Sequence, residues 1–137
     1  MAHTRIITTD FKITKRGTDL VTSNVFPPIT KDLVYTRQAL DIIRIQQTDG
    51  LVTIPIANIP DIKLIHMEAK YTQDDPTALP TPIVHGDFAP FKMRIDGIVY
   101  DFNITRGLFH LEGSCNQLQV STDYSYAPIE IAYIIVS

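Results

Sequence analysis

The chain has 137 residues, 45% apolar and 20% charged, with a formal net charge of −3 and one cysteine. That length and mix suit one soluble globular domain with a core of its own, and the mild acidity argues against a surface devoted to phosphate backbones or anionic membranes. A lone cysteine excludes an internal disulfide, and the longest apolar run falls well short of the about 20 residues that cross a bilayer.

The composition favours strands. There are 20 Ile, 8 Val and 15 Thr against only 9 Leu and 8 Ala. β-Branched side chains are stiff about χ1 and suit a pleated surface, whereas the main helix formers are scarce. Nine Pro and six Gly cut the chain into short pieces. The expectation is an all-β fold, an antiparallel β-sandwich or jelly roll, as a single domain over residues 1–137.

Met1-Ala2-His3-Thr4-Arg5 leads into only two apolar residues, Ile6-Ile7, too few for a secretory signal, so synthesis in a cytosol is expected. Ile7, Phe11 and Ile13 alternate with Ile6, Asp10 and Lys12 as a strand would, with apolar Ile6 breaking the two-sided pattern. Thr30 as cap and Asp32 in a first turn could start one short helix near residues 31–40. Residues 40–47 read as extended. Asp49-Gly50 suggests a hairpin pairing Ile45 with Ile54 and Ile43 with Ile56. Pro55 lacks the N–H this ladder needs, so pairing should stop before it or the arm should lie at a sheet edge. Ile62 to Tyr71 is long enough for another strand.

Gln73 to Pro90 contains three prolines within Asp75–Pro82 and no periodicity. It reads as a long surface loop, either a binding loop or a plain crossover. Its acids Asp74 and Asp75 are candidates for partner or ligand contact, with ordinary solvated charge as the alternative. They lack the spaced oxygen donors of a calcium loop.

Phe91 to Ile104 reads as a hairpin about Asp96-Gly97, since a type I′ turn needs positive φ at both central residues. Ile95 would face Ile98, Met93 would face Tyr100 and Phe91 would face Phe102, with all six on one face. Lys92, Arg94, Asp101 and Asn103 fall opposite. Leu118, Val120, Thr122, Tyr124 and Tyr126 form one stripe of a later strand. Tyr124 and Tyr126, at i and i+2, either close the core or offer apolar area with a hydroxyl to a sugar or protein partner. Ile129 to Val136 is apolar except for Glu130 and reads as a central strand buried on both faces.

Chemistry-bearing residues do not assemble into a motif. His3, His66, His85 and His110 show no ligand-like spacing; His85 and Asp87 form at most a pair, with His66 and His110 inside strands. Cys115 sits in a polar turn without a base in sequence reach. No glycine-rich phosphate loop occurs. No catalytic residue, cofactor or metal is expected. Charge is uneven: seven Lys and Arg against five Asp and Glu in residues 1–50, but one against four in residues 101–137. Such an asymmetry suits contact between copies and is also common in monomers.

Ile59-Pro60-Asp61-Ile62-Lys63-Leu64-Ile65-His66-Met67, Phe91-Lys92-Met93-Arg94-Ile95-Asp96-Gly97, Leu118-Gln119-Val120-Ser121-Thr122 and Ile129-Glu130-Ile131-Ala132-Tyr133-Ile134-Ile135-Val136 together resemble the small β-sandwich or jelly-roll structural proteins of tailed bacteriophage virions. The resemblance covers roughly residues 50–137 and carries over no functional residue. It implies a non-catalytic protein of the virion, made in the host cytoplasm, that decorates a capsid or connects head, tail or fibre parts. It implies homo-oligomers bound to other virion proteins; the acidic balance and short apolar runs lead to no expected nucleic acid or membrane partner. The alternative is a carbohydrate- or receptor-binding β-sandwich using Tyr124 and Tyr126 or the 73–90 loop.

Overall fold

The computed structural model describes residues 5–11, 29–35 and 38–137. The chain divides into two compact units, residues 1–37 and residues 38–137. In the first, β1 (Arg5–Phe11) and β2 (Ile29–Tyr35) pair antiparallel, from Arg5 opposite Tyr35 to Phe11 opposite Ile29. The expected strand alternation at Ile7 and Phe11 therefore lies in β1, whereas Lys12 and Ile13 fall outside the described residues.

The second unit contains eight strands: β3 (Gln38–Ile45), β4 (Val52–Ile54), β5 (Leu64–Tyr71), β6 (Phe91–Ile95), β7 (Phe102–Ile104), β8 (Leu108–Glu112), β9 (Leu118–Ser121) and β10 (Ile129–Val136). One sheet has the order β3-β10-β5-β8 and the other β4-β9-β6-β7, with every pairing antiparallel. Within this order β3 pairs with β10, β4 with β9, β5 with β8 and β6 with β7. That is one long antiparallel ribbon, folded at β6–β7 and wrapped so that β10 also meets β5 and β9 also meets β6. Such wrapping is the topology of a jelly roll. The all-β antiparallel expectation is met, with the jelly-roll form of it.

Wrapping makes almost every connection cross between the sheets. Within residues 38–137 only β6 and β7 are consecutive described strands that neighbour each other in one sheet. The core lies between the layers: Ile45, Ile65, Met67, Ile129, Ile131 and Ile135 meet Ile54, Phe91, Met93, Leu118 and Val120. β10 is central in its sheet, as expected, but only one face is fully buried. Ile129, Ile131, Tyr133 and Ile135 are buried, while Glu130, Ala132 and Ile134 are half-buried.

The short helix near residues 31–40 does not form. Residues 29–35 and 38–45 are strands, each with a full antiparallel register. Ladder pairing gives a β-branched segment more than one weakly capped helical turn could.

The hairpin at Asp49-Gly50 is also absent. Residues 47–49 form a 3-10 turn, with the Gln46 N–H donating to Asp49 Oδ2 at 2.9 Å. The chain then passes from one sheet to the other. Ile45 and Ile54 are both about 1% exposed because they enter the core from opposite layers, which hairpin neighbours cannot do. β4 is an edge strand and ends at Ile54, just before Pro55.

The Asp96-Gly97 turn does form. Both residues have positive φ (55° and 71°), and the Ile98 N–H donates to the Ile95 carbonyl at 3.1 Å. The ladder beyond it slips by two residues: Met93 faces Phe102 and Phe91 faces Ile104. Residues 98–101 loop out, and Ile98, Tyr100 and Phe102 are exposed instead of joining the core. An even slip preserves which face each residue occupies, so the hydrophobic pattern could not detect it. The backbone N–H groups of Asn116 and Gln117 donate to the Asp96 carboxylate, and the Asp96 N–H donates to the Gln117 carbonyl. These contacts hold the turn against the segment before β9.

Candidate functional site

The segment between β5 and β6 is an ordered loop. Asp75 and Ile83 exchange backbone hydrogen bonds at 2.9 and 3.0 Å, closing residues 75–83 into a ring. Gly86 N–H donates to the Tyr71 carbonyl and Tyr71 N–H to the Asp87 carbonyl, folding the loop back on the end of β5. Asp74 and Asp87 serve the loop itself, accepting from the backbone N–H groups of His85 and Val84.

Asp75 differs from its exposed neighbour Asp74. It is only 4% exposed, so its carboxylate requires donors. Thr77 supplies its N–H at 3.0 Å and its hydroxyl at 2.5 Å to Oδ1, and the Tyr124 hydroxyl donates to Oδ2 at 2.7 Å. The Thr77 hydroxyl does most to hold the Asp75 carboxyl below the usual aspartate range. Burial, reinforced by the bond to Asp75, pushes the Tyr124 phenol far up. Tyr71 packs edge-on against Tyr124, with ring centroids 4.9 Å apart, and burial raises its phenol too.

Beside this cluster lies an open groove of about 340 Å³ between the end of β5, β6, β7 and the segment after β9. Tyr71 and Tyr124 form one side, with Phe91 and Ile104 as apolar floor and Asn103 and Thr105 at the polar rim. Lys92 Nζ and Asp123 Oδ2 form an ion pair at 2.7 Å across it. The bond to Asp123 raises the lysine further above its ordinary value. Aromatic faces beside an amide, a hydroxyl and paired charges suit a ligand with both apolar and hydroxyl-bearing faces.

Three of the four sequence candidates therefore come together. Asp75 and Tyr124 are hydrogen-bonded, and Tyr126, 47% exposed, has its ring 6.4 Å from that of Tyr124. Of the four, only Tyr124 lines the groove itself. The reading of Asp75 as solvated charge is overturned, because the carboxylate anchors the loop to the tyrosine stripe. Lys92, Asp123, Asn103 and Tyr71 were not singled out in the sequence. Lys92 lies opposite Ser121 in the β6–β9 ladder, two residues before Asp123, a proximity visible only once that pairing is known.

Cys115 is buried, and burial raises its thiol, which disfavours the reactive thiolate. Among the described residues no three His, Cys, Asp or Glu side chains converge as metal ligands. No protein-family model matches the chain, and no curated protein or solved structure matches it either.

Proposed function

We propose that this chain is a non-catalytic structural protein of a virion, acting through assembly with copies of itself and with other virion proteins. The observation that carries the reading is the outer face of the β3-β10-β5-β8 sheet. Leu40 and Ile42 on β3 are 69% and 60% exposed, and Leu108 on β8 is 46% exposed. The register sets Ile42 beside Ala132 and Leu40 beside Ile134, both half-buried, so the apolar surface runs onto β10. β3 is also an edge strand, paired on one side only among the described residues. An apolar face at an open strand edge is the surface that assembly covers. Viral capsid proteins are among the known hosts of the jelly roll, an argument by analogy.

Light scattering on the purified chain across a concentration series tests the assembly. A closed homo-oligomer is expected, weakened by Leu40→Glu with Ile42→Glu and by deletion of residues 1–14. A strict monomer at high concentration removes self-assembly. Mass spectrometry of purified virions tests the location, and absence of the chain from them rejects it.

A second reading, a carbohydrate- or receptor-binding module, is favoured by the groove beside Tyr124. Saturable binding on a glycan array, lost in Lys92→Ala and Asn103→Ala, would support it over the first.

A further inference from the structure

His66-Met67-Glu68 on β5 and His110-Leu111-Glu112 on β8 repeat one pattern on neighbouring antiparallel strands. His66 stands directly opposite His110 in the register, and the intervening Met67 and Phe109 or Leu111 belong to the core side. The four polar side chains thus share the outer face. His66 Nδ1 lies 3.3 Å from His110 Nδ1. On the far side of each ring, His66 Nε2 is 3.2 Å from Glu68 Oε1 and His110 Nε2 is 3.9 Å from Glu112 Oε1. Neighbours on this face include Ile134 of β10, beside His66, Ala132 of β10 and Leu108 of β8, on either side of Glu68, and Leu64 of β5, opposite Glu112.

Glu68 Oε1, within hydrogen-bond reach of His66 Nε2, draws the N–H to that nitrogen and turns the His66 Nδ1 lone pair toward His110. The gap between the two Nδ1 atoms is filled by an N–H of His110 or, when that ring takes its other tautomer, by a cation. Two nitrogens bound to one zinc at about 2.0–2.1 Å, at a tetrahedral angle, are themselves about 3.4 Å apart. The observed separation matches that spacing, and Glu68 occupies the supporting position that orients a metal-bound imidazole.

We propose that His66 and His110 form a two-nitrogen half-site for a divalent transition-metal ion of the Zn2+ class, each ligating through Nδ1, with Glu68 as the positioning residue at His66 Nε2. Two donors leave coordination positions open, taken by water in a lone chain or by donors of an apposed molecule. Both rings are about one-third exposed, so the ion reaches them from solvent.

Calorimetric titration of the full chain with Zn2+ alone, in a non-chelating buffer at neutral pH, tests this. One saturable site is expected, weakened by about tenfold or more in Glu68→Gln and abolished in the His66→Gln/His110→Gln double variant, with unchanged circular dichroism. Nitrogen NMR of the histidine rings should show Zn2+ shifting Nδ1 of His66 and His110. Absence of a saturable site, an unchanged site in the double variant, or zinc shifts at His3 or His85 instead would each overturn the proposal.

Discussion

Asp75 shows how one buried charge organises a loop. Its carboxyl is held below 3.8, the ordinary aspartate value, chiefly by the Thr77 hydroxyl. A depressed carboxyl contributes stability that is complete above the unfolded-state value and is lost as pH falls through the lower folded value. Thermal melts should therefore show wild type losing its advantage over Asp75→Asn below about pH 4; parallel pH profiles for the two would contradict this. Tyr124→Phe removes one donor and should lower the melting temperature, with hydrogen exchange rising in residues 75–83. Gly107 is a second critical residue. It has φ of 71°, and a Cβ there would come within 2.8 Å of the Ala89 carbonyl oxygen and 2.9 Å of the Ala69 carbonyl oxygen. Those contacts are rigid backbone, bonded by Ala69 N–H to the Gly107 carbonyl and Ala89 N–H to the Ala69 carbonyl. Gly107→Ala is expected to cost about 2 kcal/mol or more, read by denaturant unfolding; a loss under about 0.5 kcal/mol would refute the close approach.

At the scale of elements, β10 carries the largest share of the architecture. It pairs along its full length with both β3 and β5. Deleting residues 129–137 would remove half the core of that sheet and expose two rows of ladder groups. No soluble cooperative fold is expected, and a monomeric truncated chain with a sharp melt would contradict the central placement. A gentler probe is Ile131→Ala, which should cost about 2–5 kcal/mol because Ile131 is fully buried between the layers. β3 behaves differently. Its outward Leu40 and Ile42 are exposed, so Ile42→Lys should leave the melting temperature almost unchanged while altering any association.

At the scale of the whole molecule, all eight strands of the jelly roll and its core lie within residues 38–137. Those residues expressed alone should fold cooperatively, as judged by circular dichroism and a single thermal transition. Failure to fold would mean that residues 1–37 supply something the jelly roll lacks. Together with the full chain in light scattering, this fragment also reads whether the first unit takes part in assembly.

Local rules made much of this protein legible. β-Branched composition, Pro and Gly spacing and period-two alternation identified β5, β6, β9 and β10, and the Asp96-Gly97 turn followed from its need for two positive φ angles. The tyrosine stripe and the aspartates were visible as candidates, although nothing local showed Asp75 to be buried and bonded to Tyr124, 49 residues away. What tertiary structure alone decided was partner choice. Asp49-Gly50 carries the same turn chemistry as Asp96-Gly97, yet it bridges two layers because Ile45 and Ile54 each find more apolar contact across the core than beside each other. The groove pairing Lys92 with Asp123, and the His66–His110 pair, arise the same way: antiparallel ladders bring together residues distant in the chain, and alternation along a strand specifies a face without naming the strand beside it.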